Sequence, residues 1–119
     1  MKNLKTIGRY VFAMPFAIFG LMHFTNASAM GGMVPSFVPG GVFWVYVTGL
    51  ALMAAAVSFV IEKHTYLAAL LTAVLMLVFV LTIHLPAVIG GNMMSMGSLL
   101  KDFGLGGGAL LLASFYQED

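Results

Sequence analysis

The sequence predicts an all-α integral membrane protein, an antiparallel bundle of four helices, and three observations lead there. Of 119 residues, 61% are hydrophobic and 8% charged, with a mean hydropathy of +1.05, a balance far from that of chains that fold in water. The excess is spread over four apolar runs, so it is not one anchor on a soluble domain. The connections between runs are short, so a single transmembrane domain covering residues 1–119 is expected, with the lipid bilayer as its main partner.

The first run extends from about Ile7 to Phe24, behind Lys2, Lys5 and Arg9, with Pro15 inside it where a kink is expected. A basic start, an apolar stretch and Ala27-Ser28-Ala29 also match a cleavable secretory signal; the segment is taken as the first span. The uncharged connection from Thr25 to Gly40 is stiffened by Pro35 and Pro39, and Gly31, Gly32, Gly40 and Gly41 let it fold back. Met33, Val34, Phe37 and Val38 would then rest on the bundle or dip into the interface as a cap. The second run covers about Val42 to Ile61 and ends at a turn carrying Glu62, Lys63 and His64. The third, about Tyr66 to Val88, is the most apolar; Pro86 within it frees the Thr82 carbonyl. The fourth, about Ser98 to Tyr116, is the least apolar, being interrupted by Lys101 and Asp102.

The basic residues ahead of the first span, set against an uncharged first connection, favour cytoplasmic N- and C-termini, with Lys101 on the outer side running against the bias. Tyr10, Tyr66 and Tyr116 mark the inner boundary; Trp44 and Tyr46 mark the outer one. Small residues offer close helix contacts at Ala13 with Ala17, at Ala54-Ala55-Ala56 with Ser58, and at Gly104 with Gly108. Such faces serve packing within one bundle, a homo-oligomer, or a membrane protein partner. With no cysteine, thiolate catalysis and disulfide exchange are excluded. Five scattered Lys and Arg residues and a net charge of +1 give no basic patch for nucleic acid.

The candidate ligand-binding residues are His23, His84, Asp102 and Trp44. His23 lies near the end of the first span, His84 near the end of the third, Asp102 near the start of the fourth, and Trp44 opens the second. Alternating spans therefore bring all four to one side of the membrane. Ionisable groups at membrane depth face the bundle interior or water, because lipid does not solvate them. Gly20, three residues before His23, would let a neighbouring helix approach that face. Lys101 points about 100° away from Asp102 around the helix, so its ammonium would snorkel outward while the carboxylate turns in.

Several chemistries fit this set. Each histidine hydrogen-bonding a carbonyl at a helix end is the structural reading. Alternatively His23, His84 and Asp102 hold a metal such as zinc, or exchange protons with a quinol headgroup. Met30, Met33, Met93, Met94 and Met96 sit in or near the outer connections, where thioethers with imidazole would suit copper(I).

The order of features resembles the DoxX family of small four-helix bacterial membrane proteins over nearly the whole chain. The resemblance rests on Gly20-Leu21-Met22-His23-Phe24 closing the first helix and the Pro35 to Pro39 segment leading to Trp44. Thr48-Gly49 in the second helix and Leu100-Lys101-Asp102-Phe103 leading into Gly106-Gly107-Gly108 add to it. It implies the bacterial inner membrane, and an accessory subunit of a quinone-linked redox assembly or an assembly and maturation helper for a partner protein. Members of that family often carry a glutamate just after the glycine of the second helix. Here Leu50, Ala51 and Leu52 follow Gly49, so a role needing that buried acid is not expected.

Overall fold

The computed structural model describes residues 3–117; Lys2 of the basic N-terminal flank lies outside the described residues. Four long helices dominate: α1 (Leu4–Thr25), α2 (Val42–Ile61), α3 (Thr65–Ile89) and α4 (Ser95–Ser114). No strand occurs among the described residues. Helices α1, α2 and α3 are long and apolar enough to cross a membrane; the 22 residues of α1 rise about 33 Å against a hydrocarbon core of about 30 Å. Helix α4 falls outside that set. It has the length, but Lys101, Asp102 and glycines at 97, 104 and 106–108 dilute its apolar character. It begins three residues before the expected start and stops before Tyr116.

Helix α1 ends at Asn26, whose N–H donates to the Met22 carbonyl at 2.8 Å. The connection then forms a helical turn (Ala27–Met30) and a 3-10 turn (Gly31–Met33) before reaching Gly40 and Gly41. Both glycines adopt positive φ (111° and 46°), which bends the chain sharply into α2.

Helix α2 ends unusually. Glu62 takes the left-handed conformation that glycine normally supplies, and so does His64 just before α3. The Lys63 N–H reaches back to the Ser58 carbonyl at 3.3 Å, while the Ser58 hydroxyl donates to the Lys63 carbonyl. These bonds close a three-residue connection between two long helices.

Within α3, residues Val80–His84 form a π-helical turn immediately before Leu85–Ile89. The sequence led us to expect a kink at Pro86; the helix instead widens on the N-terminal side of the proline, where a backbone donor is missing. The Thr82 hydroxyl donates to the Val78 carbonyl at 2.7 Å.

Packing is most extensive between α1 and α2 and between α3 and α4, with a thinner seam joining α2 to α3. In the centre, Phe12, Phe16 and Phe59 stack with centroids 5.0 to 5.9 Å apart, beside buried Ala13, Ala55, Ala56, Ala69 and Ala109. Large side chains such as Ile18, Leu50, Leu71 and Leu111 point outward, as a lipid environment allows.

A close backbone approach joins α1 to α2 at Gly20 and Gly49. A Cβ on Gly49 would stand 2.7 Å from His23 Cβ and 3.1 Å from the Gly20 carbonyl oxygen. The Gly104 and Gly108 pair does not act as one face. Gly108 receives the Phe12 ring, 2.8 Å from where a Cβ would be, whereas Gly104 has nothing within 4 Å. Ala17 and Ala54 are likewise exposed while Ala13, Ala55 and Ala56 are buried.

Candidate functional site

A cavity of about 450 Å³ opens where the end of α1, the start of α2, the π turn of α3 and the first half of α4 converge. His23, Trp44, His84 and Asp102 all line it. Met30, Met33, Val34, Pro35 and Val38 reach it from the first connection, so that segment forms one of its walls. Phe37 does not join them: it is 79% exposed.

The π turn presents His84 to α4. His84 Nε2 lies 2.9 Å from Asp102 Oδ2, with the side chains 12% and 4% exposed. The second carboxylate oxygen, Oδ1, is 3.6 Å from Lys101 Nζ. That ammonium also sits 4.3 Å from the centroid of the Phe19 ring, a cation–π contact that holds it toward the carboxylate. One buried carboxylate therefore faces an imidazole and an ammonium. Burial of an unpaired carboxylate would be costly, and the two donors offset that cost.

His23 is placed differently. Its Nδ1 is 2.6 Å from the Phe19 carbonyl one turn earlier; as a carbonyl only accepts, Nδ1 carries the proton and Nε2 is left as an acceptor. Trp44 Nε1 donates to the Pro39 carbonyl at 2.6 Å, tying the indole to the connection. Gly40 is needed at that point, since a Cβ there would fall 2.9 Å from Trp44 Nε1. Thr48, Thr82 and Ser98 supply the remaining polar atoms of the wall, and the rest of it is mainly apolar.

The metal readings gain no support from this geometry. No group of three His, Cys, Asp or Glu among the described residues is placed to hold a metal ion, the trio His23, His84 and Asp102 included. The methionines do not gather either. Met30 and Met33 line the cavity, whereas Met93, Met94 and Met96 lie off its wall, the first two highly exposed.

A second polar cluster lies at the opposite end of the helices, and the sequence did not reveal it. Arg9, read there as a flanking charge, is only 5% exposed; its Nη1 donates to the carbonyls of Phe59 at 2.6 Å and Val60 at 2.7 Å. Its Nη2 is 3.4 Å from Glu62 Oε1, and the Tyr116 hydroxyl donates to Glu62 Oε2 at 2.6 Å. Lys5 stacks over the Tyr116 ring at 4.5 Å. The Tyr116 hydrogen bond, helped by the charges of Arg9 and Lys5, holds the Glu62 carboxyl below its ordinary value of 4.5. The signal available in the sequence was the i, i+4 spacing of Lys5 and Arg9, which puts both on one face.

These features define a class: a membrane-embedded, all-α protein with a mainly apolar cavity closed on one side by a buried carboxylate–imidazole pair. The chain belongs to the family described as Domain of unknown function (DUF8561), whose model matches residues 12–98. The match takes in His23, Trp44, His84 and the whole first connection, and ends before Lys101 and Asp102. No curated protein and no solved structure matches the chain.

Proposed function

We propose that the chain is a DoxX-like accessory subunit of a membrane redox assembly and that its cavity holds a quinol headgroup beside His84 and Asp102. The observation that carries this reading is the 2.9 Å contact between His84 Nε2 and Asp102 Oδ2 at the wall of a mainly apolar cavity. Such a cavity suits a flat, mostly apolar ring with few polar atoms. With Nε2 committed to the carboxylate, Nδ1 is the imidazole nitrogen that a ligand can use. With the imidazole neutral and Asp102 ionised, Nδ1 accepts from a quinol hydroxyl; once protonated it donates to a quinone carbonyl. Oxidation of the quinol releases two electrons and two protons; His84 takes one proton, with Asp102 stabilising the imidazolium, and the other passes to water. The electrons pass to a redox centre of the partner, since the chain has no cysteine to bind an iron–sulfur cluster.

In this reading α4 is the fourth span of an antiparallel bundle. Two contacts support it: Asp102 meets His84 near the C-terminal end of α3, and Gly106 lies near Met76 further back along that helix. The basic flank of α1 supports a cytoplasmic side for both termini in a bacterial inner membrane. Quinone extracted with organic solvent from gently purified protein should be found with the wild type and be depleted in His84→Ala. Equal quinone in both would remove the site.

A second reading, an assembly or maturation helper for a partner membrane protein, is favoured by the open glycines of α4. Gly104 and Gly107 have nothing within 4 Å, leaving a smooth strip against which another helix can pack. Gly104→Leu with Gly107→Leu would then abolish partner capture while His84→Ala would not. The reverse pattern excludes it.

A further inference from the structure

The thin seam between α2 and α3 leaves a groove of about 700 Å³ that runs from the connection between these helices up to the cavity, with which it shares Leu52, Leu75 and Val78. Ala51, Ala54 and Ser58 of α2 and Leu67, Leu71 and Val78 of α3 form its walls. Lys63 and His64, in the connection between the helices, close one end and are the only charged or titratable residues lining it.

We infer that this groove binds one anionic phospholipid, its phosphate at Lys63 and His64 and an acyl chain lying between α2 and α3. The dimensions point to a lipid. From Ile61 to Ala51 the wall rises about 15 Å, and from Leu67 to Val78 about 16 Å. Each is the thickness of one leaflet, half of a hydrocarbon core of about 30 Å. A transmembrane helix of a second copy would require a face running the full depth.

The charge is complementary as well. Lys63 and His64 form no ion pair among the described residues. The neighbouring carboxylate, Glu62, does not neutralise them, because Arg9 and Tyr116 hold it. The N-cap residue of α3 is His64 itself, so the positive end of that helix faces the same place. The two left-handed residues, Glu62 and His64, fix this arrangement by sending the Glu62 carboxylate to α1 and α4 while Lys63 and His64 stay at the groove.

The test is lipid retention by the full chain. Protein in detergent is mixed with equimolar dioleoyl phosphatidylglycerol and dioleoyl phosphatidylcholine, and the lipids retained are counted by native mass spectrometry. The wild type should keep one lipid per chain and prefer phosphatidylglycerol about fivefold, the ratio expected for one lysine at an anionic headgroup. Lys63→Gln with His64→Gln should erase the preference while a lipid is still retained. Ala54→Phe fills the groove from an exposed position, so the fold tolerates it; both lipids should then be lost. Equal retention of the two lipids by the wild type, or a preference unchanged in the double variant, overturns the proposal. A lipid-free dimer would assign the groove to a second copy and overturn it too. Because His23, Trp44, His84 and Asp102 do not line the groove and Lys63 and His64 do not line the cavity, either outcome of the headgroup test leaves the quinol reading to its own test.

Discussion

The two ends of the helices each contain an ion pair, one with a half-exposed carboxylate, Glu62, and the other with a buried one, Asp102. At one end Arg9 reaches two carbonyls and Glu62, and Glu62 also accepts from Tyr116, so a single network ties α1 to the end of α2 and the chain just past α4. None of those three side chains lines the His84 cavity or the groove between α2 and α3. At the other end Asp102 pairs with His84 and Lys101 while both histidines and Trp44 face open space. An ion pair therefore does not by itself mark a binding site. The difference lies in whether the pair faces a cavity, as His84 and Asp102 do.

If the first end is a lock, breaking it should cost stability and leave binding intact. Arg9→Met removes charge-assisted bonds to two carbonyls, and we expect a loss of about 3 kcal/mol in reversible unfolding from mixed micelles. Quinol affinity of the folded fraction should not change. A loss below about 1 kcal/mol would mean that the network is loosely held.

The second end should respond the other way. Asp102→Asn keeps the shape but removes the charge that orients His84, so quinol affinity should fall about tenfold for a charge-assisted bond weakened by about 1.4 kcal/mol. Stability should change by less than about 1 kcal/mol, the scale of interhelical hydrogen bonds in membranes. Comparable effects on stability and affinity would erase the contrast between the ends.

Gly49→Val probes the backbone contact that sets His23. The added Cβ would meet His23 Cβ and the Gly20 carbonyl, costing about 1–3 kcal/mol by overpacking and displacing the imidazole from the cavity wall. Thermal unfolding in detergent with a parallel quinol titration would separate the two effects.

The smallest effect is that of pH on the lock. Because the folded-state value of Glu62 is depressed, the carboxylate binds its proton more readily in the unfolded chain. Its contribution is complete above the ordinary value of 4.5 and disappears as pH falls through the lowered folded value. Glu62→Gln should flatten the stability profile in that acidic window, with a deficit against the wild type that is small, as expected for a half-exposed carboxylate, complete near neutral pH and absent in acid.

Much of the site was legible because alternation of direction needs only helix boundaries. That rule alone put His23, Trp44, His84 and Asp102 at one level, and all four line the cavity. Rotation about each helix was not legible. These helices are apolar on nearly all sides, so a polar and an apolar face hardly differ, and the usual 3.6-residue signal is weak. Arg9 therefore read as a flank although it points into the bundle, and Gly104 and Gly108 read as one surface although only Gly108 meets a neighbour. The left-handed Glu62 was hidden for another reason: besides the local bonds between Ser58 and Lys63, its side chain is held by residues 53 and 54 positions away.

The most direct measurement uses the only tryptophan in the chain. Trp44 lines the cavity, so its fluorescence reports on a quinone ring bound there. Decylubiquinol and decylubiquinone would be titrated into the wild type, Arg9→Met and His84→Ala in lipid nanodiscs. The account predicts saturable quenching in the first two and none in His84→Ala. Saturable quenching of equal affinity in His84→Ala would contradict it, leaving the carboxylate–imidazole pair as a second lock.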